Sequence, residues 1–147
     1  MKHRFADKIV WITGASSGIG EATAYRMAME GASLVLTSRN ESALEKVREK
    51  CLADGAADAK VLPADLSNLE NLAHVSERAW SLFGRIDIFF CNAGISQRSN
   101  TIDSQMDVID KVMDVNYFAP VTITKTILPK MIANGGGQIA VTTSIAG

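Results

Sequence analysis

KIVWITGASSGIG (residues 8–20) is the stretch that decides the fold of this chain. Its first half sets four apolar side chains in a row, Ile9, Val10, Trp11 and Ile12, all β-branched or aromatic. A strand buried on both faces reads this way. Its second half carries three glycines, Gly14, Gly18 and Gly20, where the pattern passes from strand to helix. Gly14 is placed to turn the chain with a positive φ. A glycine at 18 or 20 lets a pyrophosphate or a ribose approach the main chain. The helix beyond offers unpaired N–H groups and a partial positive charge. Ser16 and Ser17 add hydroxyl donors, and Ile19 stands at the helix start. The spacing G-x-x-x-G-x-G differs from the G-x-G-x-x-G fingerprint, and no Lys-Ser/Thr follows it as in a phosphate loop. What separates a nucleotide loop from a plain glycine turn is context, here a strand before it and a helix after it.

Working outward, the same alternation recurs. Apolar runs lie at 33–38 (SLVLTS), 59–65 (AKVLPAD), 85–94 (RIDIFFCNAG) and 137–144 (GQIAVTTS), the third strand being a short edge that ends at Pro63. Between them lie helical patterns. Residues 18–30 place Ile19, Ala22, Ala24 and Met27 near helical spacing, with Gly31 as a stop. Residues 41–53 follow Asn40 as a cap and carry Leu44, Val47, Cys51 and Leu52. Residues 68–83 carry Leu69, Leu72, Val75, Ala79 and Leu82 and end at Gly84. Residues 104–133 form a long segment broken near NYFAP by Pro120, which has no N–H to donate. The order βαβαβαβαβ predicts the α/β class, with helices on both faces of a parallel sheet. Right-handed crossovers then point to a Rossmann-type doubly wound sheet of order 3-2-1-4-5, its switch point between strands 1 and 4. Ligands of such sheets bind at the carboxyl ends of the strands. Residues 1–147 read as a single dinucleotide-binding domain.

Bulk properties exclude several classes. With 47% hydrophobic and 21% charged residues the chain is globular, and a net charge of −1 gives nucleic acid nothing to bind. Two cysteines, Cys51 and Cys91, suit a reducing compartment and not a disulfide framework. His3 and His74 form no ligand cluster with them, so no metal is expected. The start, MKHRFADKIV, has no apolar core of a signal peptide, and no run is apolar enough to span a membrane. A cytoplasmic protein is expected.

Four stretches, taken in order, resemble one family. T-G-x-x-x-G-I-G after an apolar strand is similar to the cofactor loop of the short-chain dehydrogenase/reductase family. CNAG (91–94) resembles its N-N-A-G motif, with Cys91 for the first Asn. DVNYFAP (114–120) resembles the segment with its active-site Asn, here Asn116, and VTTSIAG (141–147) the segment with its catalytic Ser, here Ser144. AGISQRS (93–99) and residues 116–132 resemble the dehydrogenase/reductase member 7-like branch, associated with retinoid, steroid and other carbonyl substrates. The resemblance implies that Asp65 and Leu66 touch the adenine and that Asn92, Ala93 and Gly94 pack along the cofactor.

The end of strand 2 bears on which cofactor. NAD-binding forms place an acidic residue about 20 residues past the glycine loop, to accept from the ribose 2′-OH. This chain has Ser38 and Arg39 there. Arg39 can hold a 2′-phosphate through charge-assisted hydrogen bonds worth roughly 1.5–3 kcal/mol each. NADP(H) is therefore expected in preference to NAD(H).

The resemblance implies a carbonyl or alcohol substrate, with a Tyr as proton donor, a Lys that lowers its pKa, a Ser that orients the carbonyl and an Asn that anchors a relay water. Ser144 and Asn116 match the last two. The Tyr-x-x-x-Lys motif is expected roughly a dozen residues beyond the Ser; one helical turn puts both groups on one face. Tyr25 and Tyr117 are the only tyrosines, and neither has a Lys four residues on. The chain is accordingly expected to be the front part of an enzyme, lacking the last strands of the complete fold. Strand 5 would then be an apolar edge, and the 147 residues alone inactive and prone to aggregate. The complete protein is expected to be a homo-oligomer, dimer or tetramer. A non-catalytic dinucleotide-binding module is the alternative, and another α/β nucleotide binder, such as a methyltransferase, is a third.

Overall fold

The computed structural model describes residues 3–144; the last three residues of VTTSIAG, and the first two of the chain, lie outside the described residues. Five strands form one parallel sheet: β1 (Ile9–Thr13), β2 (Ser33–Thr37), β3 (Asp58–Val61), β4 (Ile88–Cys91) and β5 (Gln138–Val141), in the order β3-β2-β1-β4-β5. The switch point lies between β1 and β4, as the alternation predicts. All five residues of β1 are buried, which is what its unbroken apolar run requires.

Because side chains alternate along a strand, β1 feeds two cores. Trp11 joins Val35, Phe89, Leu72, Val75, Ile123 and Ile127 on one face. Val10 and Ile12 join Leu34, Leu36, Ala24, Ala28, Leu44 and Val47 on the other. The first face is covered by α3 (Leu72–Phe83) and α5 (Ala119–Ala133), the second by α1 (Gly18–Met29) and α2 (Glu41–Asp54). The Trp11 indole lies 4.8 Å from the Phe89 ring and donates to Thr37 Oγ1 at 2.9 Å, so its one polar atom is satisfied inside the core.

Three local expectations are corrected. The buried stripe of α1 is Gly20, Ala24 and Ala28, while Ile19 and Ala22 are exposed. Small side chains at i, i+4 and i+8 bring this helix close to the sheet, and larger ones are turned outward. Leu52 of α2 is likewise exposed, the buried face being Leu44, Val47 and Cys51. Residues 106–133 do not break at NYFAP: α4 (Met106–Met113) runs through a π-helical turn (Asp114–Phe118) into α5, with backbone in the right-handed helical region throughout the junction. Pro120 falls just inside α5, where its ring is tolerated, and the widened turn carries the missing N–H. The expected caps are present elsewhere: Asn40 Oδ1 accepts from Ala43 N at 3.0 Å, and Gly84 closes α3.

Candidate functional site

At the carboxyl ends of β1, β2 and β4 the chain opens into a cleft of ≈940 Å³. Its floor and walls hold Gly14, Ser16, Ser17 and Ile19 from the glycine loop, Ser38 and Arg39 after β2, Asp65 and Leu66 after β3, and Asn92, Ala93 and Gly94 after β4. Eleven of the residues singled out from sequence are thus brought to one place. Pockets of roughly 300–1,000 Å³ are the usual size for small-molecule and cofactor sites.

The glycines divide by role. Gly18 has φ +59, and a Cβ built there would meet nothing within 4 Å; like Gly20 it is not among the residues lining the cleft, although its neighbours Ser17 and Ile19 are. Gly20 is closed: a Cβ would stand 2.2 Å from Gly14 O and 2.5 Å from Asn92 Nδ2. Of the two, only Gly18 leaves space for a close approach; Gly20 lets α1 seat on the loop. Ser17 caps α1 in position but not by a side-chain hydrogen bond. Ser17 and Ile19 line the cleft, at the end of α1 where the helix dipole favours anionic groups.

Thr13 and Asn92 build the base of the loop. Thr13 is buried, and its hydroxyl accepts from Asn92 N at 3.1 Å and Ala93 N at 3.2 Å. Asn92 Nδ2 donates to Thr13 O and Gly14 O, each at 3.3 Å, and Ala15 N donates to Thr37 O at 3.1 Å. The loop is thereby tied to the ends of β2 and β4.

Among the described residues no carboxylate pairs with Arg39, which is exposed on the cleft wall. Asp65 Oδ1 accepts from Ser67 N at 2.9 Å and from Ser67 Oγ at 2.8 Å. Those two bonds hold its carboxyl below the usual carboxylate range, with smaller help from the nearby cations Arg39 and Lys111. Asp65 thus closes a turn onto Ser67 and does not cap α3, whose N-cap residue is Asn71. Sequence reasoning missed Glu41 and Lys111, which also line the cleft. Neither belongs to a motif; each is an ordinary helix-surface charge until the fold turns it inward.

Asn116 lies on the π-helical turn, outside the main cleft. Its Oδ1 accepts from Ile95 N at 2.9 Å and its Nδ2 donates to Ile95 O at 2.8 Å. It clamps the segment after Gly94, and its carboxamide is engaged on both sides. Ser144 lies three residues past β5, at the carboxyl edge of the sheet and exposed. It is not among the residues lining the cleft. Tyr25 hydroxyl donates to Glu21 Oε1 at 2.6 Å on the α1 surface; burial, first, and then Glu21 push its pKa up to about 12. Tyr117 is 55% exposed, and neither tyrosine lines the cleft. Among the described residues no helix is long and apolar enough to cross a membrane.

A family model described as short chain dehydrogenase matches residues 8–147. Dehydrogenase/reductase SDR family member 7 of Homo sapiens is 43% identical over 144 residues, covering 96% of this chain and 42% of the relative. The Drosophila melanogaster member 7-like protein is 38% identical over 149 residues, covering 99% and 46%. A metagenomic short-chain oxidoreductase, solved in complex with NADP, superposes with a TM-score of 0.91 at 30% identity, over 97% of this chain and 64% of its own. Levodione reductase gives 0.89 at 35% identity, over 96% and 55%. The chain thus spans about half the length of the curated relatives it matches.

Proposed function

The chain belongs to the short chain dehydrogenase family, in its member 7-like branch, and from that premise we propose that it forms the cofactor-binding part of an NADP(H)-dependent oxidoreductase acting on a carbonyl or alcohol. The observation that carries the cofactor choice is Arg39, on the cleft wall beside Ser38 past the end of β2, close enough to act on the charge of Asp65 but in no direct ion pair among the described residues. The reading is supported by the volume of the cleft, by the open space at Gly18 beside the lining residues Ser17 and Ile19, and by the cations Arg39 and Lys111 on its wall, which offset Glu41 and Asp65. Bound there, the nicotinamide would supply or accept hydride.

The chain's own residues then have distinct tasks. Gly18, Ser16, Ser17 and the start of α1 with Ile19 hold the pyrophosphate; Gly14 and Gly20 shape the loop. Ser38 and Arg39 hold the 2′-phosphate, and Asp65 and Leu66 border the adenine. Asn92, Ala93 and Gly94 form the floor. Asn116 fixes the segment after Gly94, and Ser144 orients the substrate oxygen. The proton donor and its lysine belong, in this proposal, to polypeptide beyond these 147 residues. A cytoplasmic homo-oligomer completes the proposal.

Titration of the complete polypeptide with NADPH and NADH tests it. The wild type should prefer NADPH by about tenfold or more, and Arg39→Leu should lose that preference by weakening NADPH alone. Equal affinity of the wild type for both nucleotides would end the NADP(H) assignment.

A further inference from the structure

Thr142 is the first residue past β5 and lies inside VTTSIAG, a stretch in which only Ser144 carries an expected role. Its N–H donates to Cys91 O at 3.0 Å, so the sheet ladder fixes its main chain. Its Oγ1 donates to Asn92 Oδ1 at 2.9 Å. The direction of that bond is forced, because a carboxamide oxygen only accepts. The other end of the same carboxamide is equally committed, since Nδ2 gives to the carbonyls of Thr13 and Gly14. Turned over, the amide would set its oxygen against two carbonyl oxygens. The Thr142 proton is therefore spoken for, and the hydroxyl presents only lone pairs to the cleft it lines.

We propose that Thr142 is a positioning residue for the cofactor, acting through the Asn92 carboxamide on the carbonyls of Thr13 and Gly14 and so on the course of the glycine loop. One carboxamide ties three parallel strands at their carboxyl ends: β1 through Thr13, β4 through Asn92 itself, β5 through Thr142. Gly20 closes over the same nitrogen, so the group has little room to reorient. Loss of the hydroxyl leaves Oδ1 without its protein donor and removes the side-chain tie from the end of β5 to the glycine loop, while the Thr142 N–H to Cys91 O bond keeps β5 in the sheet. The inference rests on the cleft being a dinucleotide site, and not on the choice between NADP(H) and NAD(H).

Isothermal titration of the complete polypeptide with NADPH and with NADH tests it, on the wild type, Thr142→Val, Thr142→Ala and Thr142→Ser, each verified as folded by circular dichroism. Valine keeps the shape without the proton; serine keeps the proton without the branch. The two hydroxyl-free variants should bind the preferred nucleotide roughly three- to tenfold more weakly, and serine should restore binding to within about twofold. A folded Val or Ala variant that binds like the wild type, or a Ser variant as weak as Val, overturns the proposal and leaves the dinucleotide reading standing. A wild type that binds neither nucleotide overturns both.

Discussion

Gly20→Ala should destabilise the protein, although alanine is the better helix former. Gly20 is the third residue of α1, and the exchange gains roughly 0.8–1 kcal/mol in helix propensity. Against this, the new Cβ would stand 2.2 Å from Gly14 O and 2.8 Å from Gly14 C. Those are main-chain atoms, so relief requires the loop to move by about 1 Å or α1 to lift from the sheet. Overpacking of this kind costs about 1–3 kcal/mol. The third contact, Asn92 Nδ2 at 2.5 Å, is the donor that holds Gly14 O, so moving either atom endangers a hydrogen bond worth about 0.5–1.5 kcal/mol. Sterics win, and the net loss is about 2 kcal/mol. For a complete protein about twice this length, as the curated relatives are, that lowers the thermal midpoint by roughly 3 °C. Calorimetry of the complete protein measures it, with NADPH titration beside it, since a displaced loop must also bind the cofactor more weakly. Gly18→Ala is the control: it meets no atom and suffers only the left-handed φ, about 1–2 kcal/mol. A Gly20→Ala protein as stable as the wild type would refute the claim that this glycine exists for close packing.

Two further outcomes follow from the hydrogen bonds of Asn116 and the burial of the cysteines. Asn116→Ala removes both bonds to Ile95, so the amide of Ile95 should exchange with solvent about tenfold faster while global stability falls by about 1 kcal/mol; hydrogen exchange read by NMR checks this. Cys51 and Cys91 are buried, and burial pushes both thiols up to about 12, so a thiol reagent at pH 8 should label neither until denaturant unfolds the chain. Labelling of either in native buffer would contradict the two cores.

The sheet was legible because its strands are buried on both faces. Runs such as Ile9–Ile12 and Leu34–Leu36 leave no polar side for a surface strand, and the helical spacings between them force parallel crossovers. The face of α1 was misread for a physical reason. Hydrophobicity points to Ile19, whereas close packing selects Gly20, Ala24 and Ala28, which carry almost no hydrophobic signal. The π-helical turn was equally hidden: Pro120 announces a lost hydrogen bond, but whether the helix breaks or widens depends on whether α4 and α5 keep a common course.

The same distinction governs the site. Its ligand-facing residues are glycines, small side chains and one arginine at strand ends, and those types at those places form a pattern that can be read along the chain. The residues that hold them in place act differently. Asn116 reaches 21 residues back to main-chain atoms of Ile95, and Thr142 reaches 50 residues back to a carboxamide that itself grips carbonyls. A carbonyl is the same at every position, so its partner leaves no signature in the residue it serves. Thr142 could be valine without altering the strand pattern or the apolar run, and within VTTSIAG only Ser144 carries an expected role. What would change is the single proton that satisfies Asn92 Oδ1. The supporting network is therefore visible only once β5 lies beside β4, and a substitution that leaves Ser144 in place is the one that removes the side-chain tie from the end of β5 to the loop around Gly14.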